Sequence, residues 1–281
     1  MRRRHLGALM ASPLLAGAAP HATQAPAPPD ETPHVQVTRA RVLDQRATPV
    51  FGYRILRTYP HDVESYTEGL VHHEGVIYEG TGLYGRSRLR AWDLETGRTL
   101  RETSIDRRYF GEGVTLLDGR LYQLTYLANT GWVYDATTFR REREFRYPSQ
   151  GWGLTTDGSA LIMSDGSSAI QFLDPATMLP RRFIYVTDAV GPVGFLNELE
   201  HAEGRLYANV WQTDFIAMID PSDGRITGWI DLTGLNPDPA RLVYPLVLNG
   251  IAYRRAAGTL LVTGKCWPHV WEIALVPRQA G

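Results

Sequence analysis

From about residue 50 onward the chain alternates short apolar runs with Gly, Asp and Asn turns, and no amphipathic helix of useful length interrupts the pattern. One phrase recurs. A polar or aromatic residue is followed by Gly or Leu and an apolar residue; next come a turn, an apolar strand carrying Tyr or Leu, and a strand ending in an acid before another turn. The five starts are Glu68-Gly69-Leu70, Glu112-Gly113-Val114, Trp152-Gly153-Leu154, Glu198-Leu199-Glu200 and Asn249-Gly250-Ile251, spaced by 44, 40, 46 and 51 residues. The third strands end at Trp92-Asp93, Tyr134-Asp135, Leu173-Asp174, Ile219-Asp220 and Trp271-Glu272. Each period holds about four short strands, and a four-stranded sheet repeated every 40–50 residues is the sequence signature of a propeller blade.

The expected fold is therefore all-β: a five-bladed β-propeller with four-stranded blades around a central channel. The alternating segment Val50–Thr58 precedes the first full unit and is expected to add an outer strand to the last blade, closing the ring and removing an exposed edge. Pro237-Asp238-Pro239 sits in the longest insertion and reads as a surface loop.

Composition adds limits. With 29 basic against 30 acidic residues, a net charge of −1 gives no reason to expect nucleic acid as a partner. A single cysteine, Cys266, excludes an intramolecular disulfide, and beside Trp267 it reads as a small buried hydrophobe. Arg2-Arg3-Arg4, the apolar stretch Leu6–Ala19, and Thr23 and Ala25 before a cleavage point read as a signal peptide over residues 1–25. The stretch is too short to span a membrane, for which about 20 apolar residues are needed. Residues 26–49 follow as a flexible leader and 50–281 as the catalytic domain. The expectation is an exported monomer, periplasmic or extracellular, without a membrane partner.

In a propeller the first strands line the channel, so the five starts form a ring: Glu68, Glu112, Trp152, Glu198 and Asn249. Three carboxylates near one axis repel, and at least one pKa should rise, as a general acid/base at neutral pH requires. Glu198, within Asn197-Glu198-Leu199-Glu200, has the best case for simple backbone capping. Glu112, flanked by Gly111 and Gly113, has the weakest, and is the candidate catalytic group. Trp152, Trp211 and Tyr126 fall where strands turn back to the same rim, as pocket walls, whereas Trp92, Trp132 and Trp271 are expected in the core. Lys265 stands at the corresponding strand end of the fifth unit. His72-His73 are adjacent and point to opposite faces, so no zinc ligand set is legible; the Glu and Asn ring leaves room for a structural Ca2+ on the axis.

Eight phrases in order, from Tyr66-Thr67-Glu68-Gly69-Leu70 and Phe110-Gly111-Glu112-Gly113 through Gly151-Trp152-Gly153-Leu154, Ser164-Asp165-Gly166, Asn197-Glu198-Leu199-Glu200, Ala208-Asn209-Val210-Trp211 and Asn249-Gly250-Ile251-Ala252 to Thr263-Gly264-Lys265-x-Trp267-Pro268, resemble the glutamine cyclotransferases of plant and bacterial type. The resemblance spans about Tyr53 to Leu275. It implies a five-bladed propeller that converts N-terminal glutaminyl residues of peptides to pyroglutamyl with release of ammonia, with no cofactor required. It further implies Glu112 as acid/base, with Trp152, Trp211, Asn197 and Lys265 in the substrate pocket. Tyr126 stands where the family has Trp, and Glu68 where plant members commonly have Gln; both are expected at the substrate. A non-catalytic peptide-binding propeller and a metal-dependent propeller lyase or lactonase remain as alternatives.

Overall fold

The computed structural model describes residues 38–43, 48–237 and 246–278. The signal segment 1–25 and most of the leader lie outside these residues, as do Asp238 and Pro239 of the insertion. The described chain is all-β apart from one helical turn. Its opening strand is β1 (Val50–Pro60). Four runs of four follow: β2 (Thr67–His73), β3 (Val76–Thr81), β4 (Arg88–Asp93) and β5 (Thr99–Ser104); β6 (Gly111–Leu117), β7 (Arg120–Thr125), β8 (Thr130–Asp135) and β9 (Arg141–Arg146); β10 (Leu154–Thr156), β11 (Leu161–Ser164), β12 (Ala169–Leu173) and β13 (Pro180–Tyr185); β14 (Leu196–Ala202), β15 (Arg205–Val210), β16 (Phe215–Ile219) and β17 (Ile226–Asp231). The last strands are β18 (Leu248–Arg254), β19 (Thr259–Gly264) and β20 (His269–Pro277).

The first three runs are separate antiparallel four-stranded sheets, and the other eight strands form one sheet in the order β14-β15-β16-β17-β1-β20-β19-β18. The junction explains the difference from five separate blades. β1 is 11 residues long and pairs antiparallel with β20 from Phe51↔Pro277 to Pro60↔His269, as its alternation led us to expect. Its first two residues also pair in parallel with β17, Val50 with Trp229 and Phe51 with Ile230. β20 consequently runs past Trp271-Glu272 instead of turning there. Glu272 is bound by Tyr59, Thr259 and Arg254 rather than capping a turn.

The other four strand-ending acids do make turns. Asp93 accepts from the Thr96 amide at 2.9 Å and hydroxyl at 2.6 Å, Asp135 repeats both bonds with Thr138, Asp174 accepts the Thr177 amide, and Asp220 accepts the amide and hydroxyl of Ser222, one residue nearer. Side-chain bonding to the local backbone stops the strand and fixes the hairpin.

The core lies between consecutive units. Leu89, Val114, Leu121 and Trp132 join the first to the second; Leu124, Phe145, Leu161 and Met163 the second to the third; Ile162, Phe172, Leu199 and Trp229 the third to the fourth; Ile216, Ile230, Ile251 and Trp271 the fourth to the fifth. Tyr59, Leu70, Trp92 and Leu261 then return from the fifth to the first. Each fully buried aliphatic or aromatic side chain contributes roughly 1.5–3 kcal/mol. The first strands follow the same cycle, β2 against β6, β6 against β10, β10 against β14, β14 against β18 and β18 against β2.

That close approach explains the Gly of the recurring phrase. A Cβ at Gly69 would lie 2.4 Å from the Val114 amide, at Gly113 2.5 Å from the Trp152 carbonyl oxygen, and at Gly153 2.1 Å from the Asn197 carbonyl oxygen. All three obstacles are backbone atoms of the next first strand and cannot swing aside. Gly153→Ala should therefore lower stability by about 1–3 kcal/mol through overpacking, read as a lower urea midpoint; an unchanged midpoint would mean that the strands are less tightly apposed.

One part of the leader is docked. Residues 38–43 form a helical turn whose Val42 is fully buried in the core cluster between the third and fourth units. Arg41 grips Asp188 with two bonds of 2.7 and 2.8 Å and also reaches the Gly191 and Pro192 carbonyl oxygens. One apolar and one bidentate contact hold these six residues to the body.

Candidate active site

In four of the five units the ladder between first and second strands breaks register at the repeat start: between Thr67 and Gly69, Gly111 and Val114, Leu196 and Leu199, and Leu248 and Ile251. A bulge inserts an unpaired residue and re-aims its side chain. Here it turns Glu68, Glu112, Asn197 with Glu198, and Asn249 out of the ladder. In the third unit β10 starts later, and Trp152 donates its amide to the Ser164 carbonyl oxygen at 3.1 Å.

Three of these groups meet. The carboxyl groups of Glu68 and Glu112 share a hydrogen bond. Lys265 Nζ donates to Glu68 Oε1 at 2.6 Å and lies 4.5 Å from the Tyr66 ring centroid. Asn249 Nδ2 donates to Glu68 Oε2 at 3.0 Å and to the Thr67 carbonyl oxygen at 2.9 Å. Glu68, Glu112 and Lys265 are all buried, with 2%, 5% and 4% of their surface exposed. Lys265 is also the chain's single lysine; every other basic side chain apart from histidine is Arg.

Burial pushes both carboxyls above the usual range. For Glu112 the neighbouring Glu68 charge adds to burial, Lys265 offsets part of it, and the result is a group raised well above its ordinary value. For Glu68 burial is opposed by the Lys265 ammonium and by the hydrogen bond from Glu112, so it rises less. Two donors on Glu68, the Lys265 ammonium and the Asn249 amide, favour the anion of the pair there.

Aromatic rings continue from the carboxyls in a chain of contacts. Tyr66 meets Phe110 edge-on at 6.1 Å, Phe110 meets Tyr126 at 5.9 Å, Tyr126 meets Trp152 at 6.4 Å, Trp152 meets Trp211 at 5.7 Å, and Trp211 stacks on Phe195 at 6.3 Å. Tyr84 adds an edge contact to Phe110 at 5.5 Å. Gly166, at φ +82°, lies flat against the Trp152 indole, where a Cβ would be 2.6 Å from the ring. Asn197 sits beside this wall through its backbone: its carbonyl oxygen accepts from Ser164 Oγ at 2.7 Å and crowds Gly153, while its buried Oδ1 has no partner among the described residues.

The structure thus joins Glu68, Glu112 and Lys265 directly and links Tyr126, Trp152 and Trp211 in one wall that Phe110 connects to Tyr66 beside Lys265. Glu198 is different. Its carboxylate accepts the Leu70 and Ile251 amides at 3.2 and 2.8 Å, tying β14 to β2 and β18, which is the capping role that its sequence context favoured. Trp92, Trp132 and Trp271 are core residues, as expected. Cys266, read as buried, is half-buried, because its loop leaves the strand at φ +59° while its amide donates to the Ser65 carbonyl oxygen.

Sequence reasoning passed over Tyr66, Phe110 and Phe195. For two of them the signal was available: Tyr66-x-Glu68 and Phe110-x-Glu112 put each aromatic two residues before a ring residue, a spacing that returns side chains to the same face of an extended chain; Phe195, at φ +59°, has no such signal. Asn249 was placed in the ring but not at Glu68.

Among the described residues no three His, Cys, Asp or Glu side chains are grouped to share a metal ion, and no helix is long and apolar enough to cross a membrane.

The glutamine cyclotransferase family model matches residues 31–275, nearly the whole described chain and every residue of the site. The chain belongs to the glutamine cyclotransferase family. Among members of this family, a glutaminyl-peptide cyclotransferase from Arabidopsis thaliana is 41% identical over 230 residues, covering 80% of this chain and 72% of its own. The crystal structure of Myxococcus xanthus glutaminyl cyclase superposes with a TM-score of 0.76 at 34% identity, covering 83% of this chain and all of that one. Membership was legible in the eight phrases, all of which fall inside the matched span.

Proposed function

We propose that the protein cyclises the N-terminal glutaminyl residue of peptides to pyroglutamyl and releases ammonia. The observation that carries this reading is a buried Glu112, pushed well above the usual carboxyl range by burial and the Glu68 charge, two residues from Phe110 in a continuous run of aromatic contacts, in a chain whose Arabidopsis relative is a glutaminyl-peptide cyclotransferase. The reaction is intramolecular: the free α-amine attacks its own γ-carboxamide carbon. Much of the barrier is removed by folding a short flexible side chain into an attacking conformer, and effective molarities for such closures are large. Rigid rings at Tyr126, Trp152 and Trp211 suit that enclosure. Glu112 exchanges the proton that leaves the attacking amine for the one that the departing nitrogen needs to go as NH3. Asn197, whose Oδ1 has no partner among the described residues, can accept a hydrogen bond from the folded substrate, and the Lys265 ammonium supplies a donor for the developing oxyanion. Glu68 orients the amine.

We further propose that the units form five blades around one channel, a reading supported by the cyclic order of the first strands and of the five core clusters, with the eight-stranded sheet counted as two blades that β1 bridges. Arg2-Arg3-Arg4 and the apolar stretch after it support export.

The purified protein, incubated with a Gln-initiated dipeptide, should release one ammonia per pyroglutamyl product, and should do so equally in a strong chelator. No ammonia would reject the cyclase reading; loss of activity in the chelator would favour the metal-dependent one.

A further inference from the structure

Behind the mouth, His61 and Glu79 join the two segments that carry Glu68 and Lys265. Along Ser65-Tyr66-Thr67-Glu68 the side chains alternate: Tyr66 and Glu68 meet Lys265, whereas Ser65 and Thr67 donate to Glu79 at 3.3 and 2.8 Å. The facing segment is the turn Gly264–Trp267, closed by the Trp267 amide on the Gly264 carbonyl oxygen. Its Lys265 reaches the mouth, and its Trp267 carbonyl oxygen lies 2.8 Å from His61 Nδ1. His61, directly after β1, places Nε2 3.0 Å from Glu79 Oε1 and donates its own amide to the Pro268 carbonyl oxygen. Both side chains are sealed, the imidazole 1% and the carboxyl 0% exposed.

These partners dictate how many protons the ring holds. A carbonyl oxygen only accepts, so Nδ1 carries a hydrogen. Glu79 collects donors from Trp92, Thr67 and Ser65 and lies 3.6 Å from Arg90, which holds it as the carboxylate, so Nε2 carries a hydrogen too. A ring that donates from both nitrogens is an imidazolium. The Thr263 hydroxyl, 3.5 Å from Nδ1, gives its hydrogen to the His269 carbonyl oxygen and brings no donor to the ring. Burial opposes the charge on His61, but the Glu79 carboxylate and the Trp267 carbonyl oxygen outweigh it and raise the ring above its ordinary range; Glu79, against its own burial, is lowered by His61 and Arg90.

We propose that His61 is a positioning residue for the reaction: an imidazolium that, bonded to Glu79 on one side and to the Trp267 carbonyl oxygen on the other, sets how far Lys265 stands from Glu68. A neutral ring would satisfy one of these acceptors and leave the other bare in a closed site. The effect on catalysis rests on the cyclase reading; the charge of the ring does not. The charged and titratable groups around the ring are Glu79 on β3, Arg90 on β4, the adjacent Asp62, Lys265 and Cys266 in the turn, and His269 at the start of β20. Arg90 is answered by Asp62 at 2.8 Å and Glu102 at 3.2 Å, which leaves Glu79 to His61. With the folded-state pKa above the unfolded one, the imidazolium stabilises the fold in full below about pH 6.5 and loses that effect as pH rises through the folded value.

The first measurement is nitrogen-15 NMR of the histidine rings in the unmutated full chain at pH 7, with His61 identified by its contacts to the Trp92 ring, 5.7 Å away. Both ring nitrogens should be protonated; a neutral tautomer overturns the proposal. The second is ammonia release from a Gln-initiated dipeptide by two variants. His61→Asn sets an amide where Nδ1 was and keeps the bond to Trp267; His61→Gln sets one where Nε2 was and keeps the bond to Glu79. His61→Gln should lose about 10-fold in kcat with little change in KM, less than the roughly 10²-fold that a 1 Å misplacement can cost, and His61→Asn should retain more. Wild-type kcat in both variants, or equal kcat losses in both, would leave His61 without a positioning role and overturn the proposal. Should neither variant fold, Glu79→Gln keeps the shape without the charge: the ring should turn neutral and kcat should fall, and a persistent imidazolium or an unchanged kcat would overturn the proposal as well. No ammonia from the unmutated protein would instead defeat the cyclase reading, and the positioning role with it.

Discussion

Glu112→Gln should lower the turnover of a Gln-initiated peptide by at least ~10²-fold, the cost of removing an acid/base group, while the protein stays folded. Glutamine has the same shape and keeps a polar group beside Glu68, so packing at the mouth is preserved. It cannot exchange a proton with an amine. Because Glu112 meets the reacting nitrogens rather than the body of the peptide, kcat should fall and KM should change little. The comparison is steady-state kinetics of the two proteins together with their urea midpoints. Near-normal kcat in a folded variant would remove Glu112 from the chemistry.

Lys265→Met should be the most destabilising change at this mouth. It removes the cation 2.6 Å from a Glu68 that is only 2% exposed, and breaking a buried pair by deleting one partner typically costs about 3–5 kcal/mol. The pH dependence has a definite sign. Without the ammonium the folded-state pKa of Glu68, already above its ordinary value, rises further. A carboxyl whose folded pKa exceeds its unfolded one penalises the native state at high pH, and the penalty vanishes once pH falls below the unfolded value. The gap between wild type and variant should thus be wide at pH 8 and narrow at pH 4. An equal gap at both would mean that Lys265 acts through packing alone. Lys265→Arg should not restore the parent, since a planar fork cannot replace a compact ammonium over the Tyr66 ring in so closed a site. A chain that uses Arg everywhere else has kept its one Lys there.

Repetition made much of this readable. Landmarks that recur at one period, the Gly after each start and the Asp closing each third strand, report local needs: a strand passing overhead leaves no space for a Cβ, and a carboxylate must cap the turn. Those needs are met within a few residues or in the neighbouring unit, so the sequence exposes them. The ring composition followed, and with it Glu68, Glu112 and Lys265. Pairings between distant segments were harder. Nothing near Val50 announces that it will lie beside Trp229 as well as Leu275's strand, because an edge that accepts two partners has the same alternation as one that accepts one. Likewise Val42 and Arg41 look like leader residues until Asp188 and the cluster around Trp229 supply their partners from about 150 positions away. Glu198 and Glu112 share a place in the repeat; only the amides of Leu70 and Ile251 separate a cap from a reactive acid.

The seam between β1 and β20 has a consequence for how the molecule comes into being. Tyr59 and Glu272 are bonded across 213 positions, so a strand made early waits, edge bare, for nearly the entire remaining polypeptide to be synthesised. The late arrival of its mate is the zipper pull. Trimming a dozen residues from the carboxyl end would strip β1 of its long partner and leave two raw borders, prone to stick to those of other molecules.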